Sequence, residues 1–313
     1  GQRRARQFLD GPHALGDEQP VALARLATLQ VPCHREPFHR YLVSMRTRLA
    51  SAARAALVSP LLMAAACAVS TQQEVDLGAN YATQIAKELP IVHDPEVNRY
   101  ITLLGDSLAR VADQRNLDWH FTVVDSREVN AFAVPGGFIY VNRGLIERAN
   151  TMAQVAGVIG HEIAHVTRRH SVKQMQKAQG ANIGTTLLCT LTSVCNTGTA
   201  QSVINIGANA AFAKFSRTDE AEADEEGVRY LIKARIDPSG IPEMFAILLK
   251  ERKEQPDALA AFFASHPLEE SRIDDTKRMI ANYPAAQTSG LTKDSPNFQA
   301  MKRRLTSLPQ PKK

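Results

Sequence analysis

From residue 74 onward, apolar and polar positions recur in runs that predict a mainly helical fold with a few strands. Glu74–Glu88 has helical spacing and stops at Leu89-Pro90. Asp94-Pro95 then offers a capping side chain followed by Pro at the first helical position. Val97, Ile101, Leu104, Leu108 and Val111 line one side, so a helix is expected to Ala112. Trp119–Val124, Glu128–Val134 and Phe138–Val141 read as three strands, the last two joined through Pro135-Gly136-Gly137. A short helix, Gly144–Ala149, precedes a longer one opening at Asn150/Thr151, where Thr151 and Gln154 have capping-box spacing. Residues 178–213, rich in Ala, Gly, Thr and Asn with an apolar patch near Ile183–Val194, read as a lid or hairpin. Helices resume at Asp219–Ala234 and Pro242–Lys253, and the polar tail Leu308–Lys313 is expected to be loose.

The segment before this pattern reads as an address. Met45 opens a basic stretch, twelve uncharged residues run from Ala55 to Ala66, and Cys67 follows, as in a bacterial export signal. The uncharged run reaches Thr71, 17 residues in all and broken by Pro60. That is the lower edge of a membrane span, roughly 17–25 residues, so cleavage is favoured over a single-pass inner-membrane anchor. Ala64-Ala65-Ala66-Cys67 resembles a lipoprotein lipobox, with Ala64 where Leu is usual. Cys67 would then be the lipidated first residue. Ala68 rather than Asp follows it, which favours the outer over the inner membrane. Residues 1–44 show no clear period and are read as an upstream extension without assigned function.

Charge sharpens this division. Residues 1–66 carry nine Arg against four acidic residues, which accounts for the whole formal charge of +5. The remainder is neutral and lacks the positive field of a nucleic-acid binder. A hydrophobic content of 44% excludes both a disordered chain and a polytopic membrane protein. Cys33, Cys67, Cys189 and Cys195 are too few for a disulfide scaffold and have no CxxC spacing. Cys189 and Cys195 read either as a local disulfide or as two buried thiols.

The chemistry concentrates in His161-Glu162-Ile163-Ala164-His165. Residues four apart on an α-helix share a face, so both imidazoles can reach one metal ion, with Glu162 beside it to accept a proton from water. Arg168 and Ser171 stand where a metzincin has Gly and its third His, and His170 falls about 180° around the helix from His161. It is read as a surface or second-layer side chain. The third ligand is sought in Glu220-Ala221-Glu222-Ala223-Asp224, where Glu220 and Asp224 share a face. One can bind metal while the other hydrogen-bonds an imidazole or handles a proton, and Glu222 is the second choice. A carboxylate third ligand leaves the fourth position open, and two imidazoles with one carboxylate favour zinc.

These residues, with Ser216-Arg217-x-x-Glu220-x-x-Ala223-Asp224, His266-Pro267-x-x-x-Ser271-Arg272 and Asn130-Ala131-Phe132-Ala133 before a double Gly, resemble the HtpX and CAAX-prenyl-protease family of zinc metallopeptidases. The resemblance covers about Leu77–Arg278 and is nearest the periplasmic lipoprotein branch (LoiP-like and BepA-like); the membrane helices of HtpX are absent. It implies an α+β, mainly helical zincin-like domain with a small β-sheet. It also implies His161, His165 and Glu220 on one Zn2+, Glu162 as general base, and Asp224 supporting the site or donating a proton. The strand carrying Asn130, Ala131 and Phe132 would pair with an extended polypeptide substrate. His266 has two readings, either a group reaching the open zinc position or oxyanion, or a turn-former with Pro267. Arg272 would anchor its loop on an acidic residue.

The expected organisation is a signal at 45–66, a lipidated N-terminus and linker at 67–76, a metallopeptidase domain at 77–285, and a C-terminal extension and tail at 286–313. The expected role is an exported endopeptidase of envelope protein quality control. The alternative is a periplasmic chaperone or assembly factor with a latent or structural metal site.

Overall fold

The computed structural model describes residues 69–180, 214–268 and 270–310. The expected signal, Cys67, both Cys189 and Cys195, and nearly all of the expected lid lie outside these residues.

Helix α1 (Thr71–Glu88) starts at a capping box formed by Ser70 and Gln73. Helix α2 (Pro95–Ala112) starts at Asp94, whose Oδ1 accepts from the Glu96 and Val97 amides. Val97, Ile101, Leu104 and Leu108 are buried on its inner side, as their spacing predicts; Val111 is only partly covered. Strands β1 (His120–Val124), β2 (Ala131–Val134) and β3 (Phe138–Asn142) form one sheet in the order β1-β3-β2, with β1 parallel and β2 antiparallel to β3. The second strand is shorter than its sequence pattern suggests. The Val129 amide turns away to Ala258 O, so bonding to β3 begins only at Asn130 O and the strand at Ala131. Gly136 and Gly137 make the β2–β3 turn at φ +86° and +104°, values that a side chain would strain.

After α3 (Arg143–Arg148), helix α4 (Met152–Thr167) runs through the middle of the molecule with every residue from Met152 to Val166 buried. It packs against α6 (Arg217–Lys233), α7 (Gly240–Glu254) and α2. At the α4–α6 crossing a Cβ on Gly160 would meet Leu231 Cδ1 at 2.9 Å, so the absence of a side chain sets the approach. Helix α5 (His170–Gly180) follows α4 directly. The capping box expected at Thr151 does not form. Thr151 Oγ1 has no partner, and the first free amides of α4, Met152 and Ala153, are met by Asp294 Oδ1 and Lys293 O. A cap supplied from 140 residues away leaves no local trace in the sequence.

The remainder is a 3₁₀ turn (Pro256–Leu259) and helices α8 (Ala260–Ser265), α9 (Glu270–Ala281), α10 (Ala285–Thr288) and α11 (Pro296–Ser307). Phe298, Met301 and Leu305 of α11 belong to the main core, so residue 285 does not bound the packed unit. Leu308 and Pro309 are not loose. Their carbonyls accept from the guanidinium of Arg143, which is 1% exposed. Among the described residues no helix is long and apolar enough to cross a membrane.

Candidate metal centre

Helix α4 delivers His161, Glu162 and His165 into the core, and the two Nε2 atoms lie 3.0 Å apart. Ser216 and Asp219 form the capping box that starts α6, which places Glu220 in the first turn, where the helix dipole favours an anion. Glu220 spans both rings: Oε2 is 3.5 Å from His161 Nε2, and Oε1 is 3.4 Å from His165 Nε2. His266, just past the end of α8, completes the group with Nδ1 3.0 Å from Glu220 Oε1. One donor atom from each of these four residues fits within 4.8 Å, and all four residues are buried. Glu162 Oε1 and His266 Nε2, 3.5 Å from one another, are buried without hydrogen-bond partners. Four buried donors converging on one point, beside orphaned polar atoms, suit a small cation of the zinc type.

A second set of side chains holds these donors. Asp224 Oδ1 approaches His161 Nδ1 to 2.9 Å, an ion-pair distance whose angle falls short of a hydrogen bond. Arg272 forks onto both carboxylates, Nη1 at 2.6 Å from Glu220 and Nη2 and Nε at 2.8 and 2.9 Å from Asp224, while a fourth contact ties it to Pro267 O. The sequence reading gave Arg272 one acidic partner; it has two. A cleft of about 610 Å³ opens behind Glu220, Asp224 and Arg272. Phe215 stacks on His165 at 3.9 Å between centroids, a contact without a warning in the sequence beyond an aromatic next to the α6 cap. His170 is buried and touches His165, so it belongs to the second layer and not to the surface. Glu222, the second-choice ligand, faces His170 instead, at 3.1 Å.

Environment separates the ionisable groups. Burial raises the proton affinity of Glu162, only partly opposed by His266 and His161. Burial acts in the same sense on Glu220, but the charge of His266 and hydrogen bonds from His161, His165 and His266 override it and hold the carboxyl well below its usual range. His161, despite burial, is pushed up to about 10 by Asp224 and Glu220, whereas burial drives His165 well down. A cation bound there would compete with protons for His161.

On the sheet side, Asn130, Ala131 and Phe132 are all buried. Phe132 stacks on Tyr140 at 4.8 Å, in a cluster with Ile85 and Tyr81 of α1. Asn130 O accepts from Asn142, and Phe132 and Val134 stand opposite Tyr140 and Phe138. By antiparallel alternation, the main-chain groups left at the β2 edge are those of Ala131 and Ala133. Ala133 already directs its amide at Glu162.

A model of peptidase family M48 matches residues 95–280, which include every residue of this centre. The chain belongs to peptidase family M48. This zinc-dependent family is the one to which the three motifs pointed. The putative beta-barrel assembly-enhancing protease of Vibrio cholerae is 30% identical over 224 residues, covering 69% of this chain and 46% of that protein. The beta-barrel assembly-enhancing protease of Escherichia coli K12 is 30% identical over 220 residues, 67% of this chain and 44% of its own length. Metalloprotease LoiP of the same strain is 30% identical over 164 residues, 52% of this chain and 64% of that protein. The chain thus spans about half the length of the assembly-enhancing M48 proteases it matches.

Proposed function

We propose that this M48 chain is an exported zinc-dependent endopeptidase that hydrolyses peptide bonds in envelope proteins. The observation that carries this reading is the buried convergence of His161, His165 and Glu220 beside Glu162. His161, His165 and Glu220 would hold the metal. Zinc bound there would supply a Lewis acid that makes water nucleophilic at neutral pH and polarises a scissile carbonyl. Glu162 takes a proton from the attacking water and returns it to the leaving amine. It suits the task because burial raises its proton affinity and its Oε1 is otherwise unengaged. Asp224 orients His161, and Arg272 ties the two carboxylates together. Substrate main chain pairs with the β2 edge at Ala131; Asn130 and Phe132 set that strand in place from behind. His266, whose Nε2 has no hydrogen-bond partner among the described residues, would close the site in the resting enzyme and face the oxyanion once substrate enters.

Two of the relatives are named for enhancing beta-barrel assembly, and by that likeness the substrates are unfolded or misassembled envelope polypeptides. The signal-like segment and Cys67 support a periplasmic protein held by lipid, at the outer membrane. A second reading, a chaperone or assembly factor with a latent or structural site, draws support from His266, because a closed set of four protein donors is the mark of a structural metal. Mixing the protein with unfolded casein, with and without a chelator, decides between them. Chelator-sensitive cleavage is expected; suppression of aggregation without cleavage would favour the second reading.

A further inference from the structure

Between α4 and α5 the chain breaks at Arg169, a non-glycine residue in the left-handed region (φ +58°). The break is held from outside: Arg169 Nε lies 2.7 Å from Glu74 Oε2 and its Nη2 lies 2.6 Å from Val69 O. Arg115 Nη1 shares Glu74 Oε2 at 2.8 Å and fastens Val166 O with its other nitrogen. The reversal turns His170 back onto the metal centre. Its Nδ1 lies 2.9 Å from His165 Nδ1, and its Nε2 lies 3.1 Å from Glu222 Oε2, with Asp219 Oδ1 farther off at 3.8 Å. Arg168 in turn holds Glu222, at 3.3 Å.

We infer that His170 and Glu222 form a relay that fixes the tautomer and ring plane of His165, so that its Nε2 lone pair is presented to the cation. The inference rests on reading His165 as a metal ligand. The protons then have one consistent arrangement. His165 coordinates through Nε2 and must carry its hydrogen on Nδ1. It donates that hydrogen to His170 Nδ1, which obliges His170 to carry its own on Nε2, and this one goes to the Glu222 carboxylate. His161 has a carboxylate, Asp224, on its Nδ1 side. Among the described residues His165 has no carboxylate on its own Nδ1, so the second imidazole carries that support outward to Glu222. His170 is a positioning residue and touches no substrate.

The test is the zinc affinity of the full chain, by competition with a chromophoric chelator, for wild type, His161→Ala, His170→Leu, His170→Asn and Glu222→Ala. Wild type should bind one zinc and His161→Ala should not. His170→Leu should bind about 10–100-fold more weakly. Asn places an oxygen where His170 has Nδ1, so His170→Asn should stay within about threefold of wild type. Glu222→Ala removes a side chain that is one-third exposed and should fall between these two, keeping the test open if His170→Leu does not fold. A His170→Leu affinity equal to wild type would overturn the inference alone. So would equal weakness of the Leu and Asn variants, because the ring's packing would then matter and not its acceptor. Wild type without zinc, or His161→Ala that retains it, would bring down the metal-centre reading and the relay with it.

Discussion

Glu162 on α4 and Glu220 on α6 face one another across the same centre, each 1% exposed, yet their surroundings drive them apart. Among the described residues Glu162 has the Ala133 amide and nearby imidazoles but no Lys or Arg bonded to it, and burial wins, so it holds a proton more readily than an ordinary carboxyl. Glu220 is met by three imidazoles and the Arg272 fork, and it stays ionised against the same burial. Opposed proton affinities suit opposed tasks: a base must exchange a proton, and a ligand must not. The two walls differ in origin as well. Glu162 comes with its neighbours on one helix, whereas Glu220 depends on His266 and Arg272 from segments some 50 residues away.

The comparison breaks most sharply at Glu162→Gln. Casein cleavage should fall by about 10²–10⁴-fold while zinc content is unchanged. Turnover near wild type would remove Glu162 as the base. On the other wall, Arg272→Met strips the guanidinium that forks onto two buried carboxylates. Chemical denaturation of the metal-free protein should show a loss of roughly 3 kcal/mol, and added zinc should recover part of it, because the cation replaces the missing charge. An unchanged denaturation midpoint would mean that Glu220 needs no counter-charge.

How much of this was legible beforehand follows the same division. The pattern around Asp94-Pro95 located the start of α2 at Pro95 and its end near Ala112, because cap, proline and apolar spacing are all local signals. His161, Glu162 and His165 were readable because helical geometry alone brings them together. Glu220 was found through a short motif and Arg272 was expected on one acidic residue, but no local pattern announces that its guanidinium reaches two carboxylates. His170 could be excluded as a ligand from its register on an ideal helix. Its return to His165 depends on a left-handed Arg169 pinned by Glu74, and neither periodicity nor propensity encodes that. The cap of α4 failed for the same reason, with Asp294 displacing Thr151. Arg143 and α11 were missed because a buried guanidinium and three apolar positions among basic residues look like surface.

Asp94 calibrates the contrast at the rim, where a carboxylate is held ionised and no ligand depends on it. Hydrogen bonds from Arg304 lead the causes that keep its carboxyl below the ordinary value, and it caps α2 through two amides. Asp94→Ala should cost about 1 kcal/mol in urea denaturation, with zinc affinity untouched. Because its pKa is lowered on folding, its contribution is complete above the ordinary carboxylate value and disappears as pH falls through the lowered one. The variant's stability should therefore decline less steeply than wild type over that acid window. Equal slopes would contradict the assignment.

The most direct measurement is the zinc stoichiometry of the purified full chain beside that of Glu220→Gln, by elemental analysis after dialysis. The account predicts one zinc per wild-type chain and little or none in the variant, since a neutral amide removes the charge that three imidazoles and Arg272 are arranged around. A wild-type protein that holds no zinc, or a Glu220→Gln protein that retains it in full, would contradict the metal centre itself.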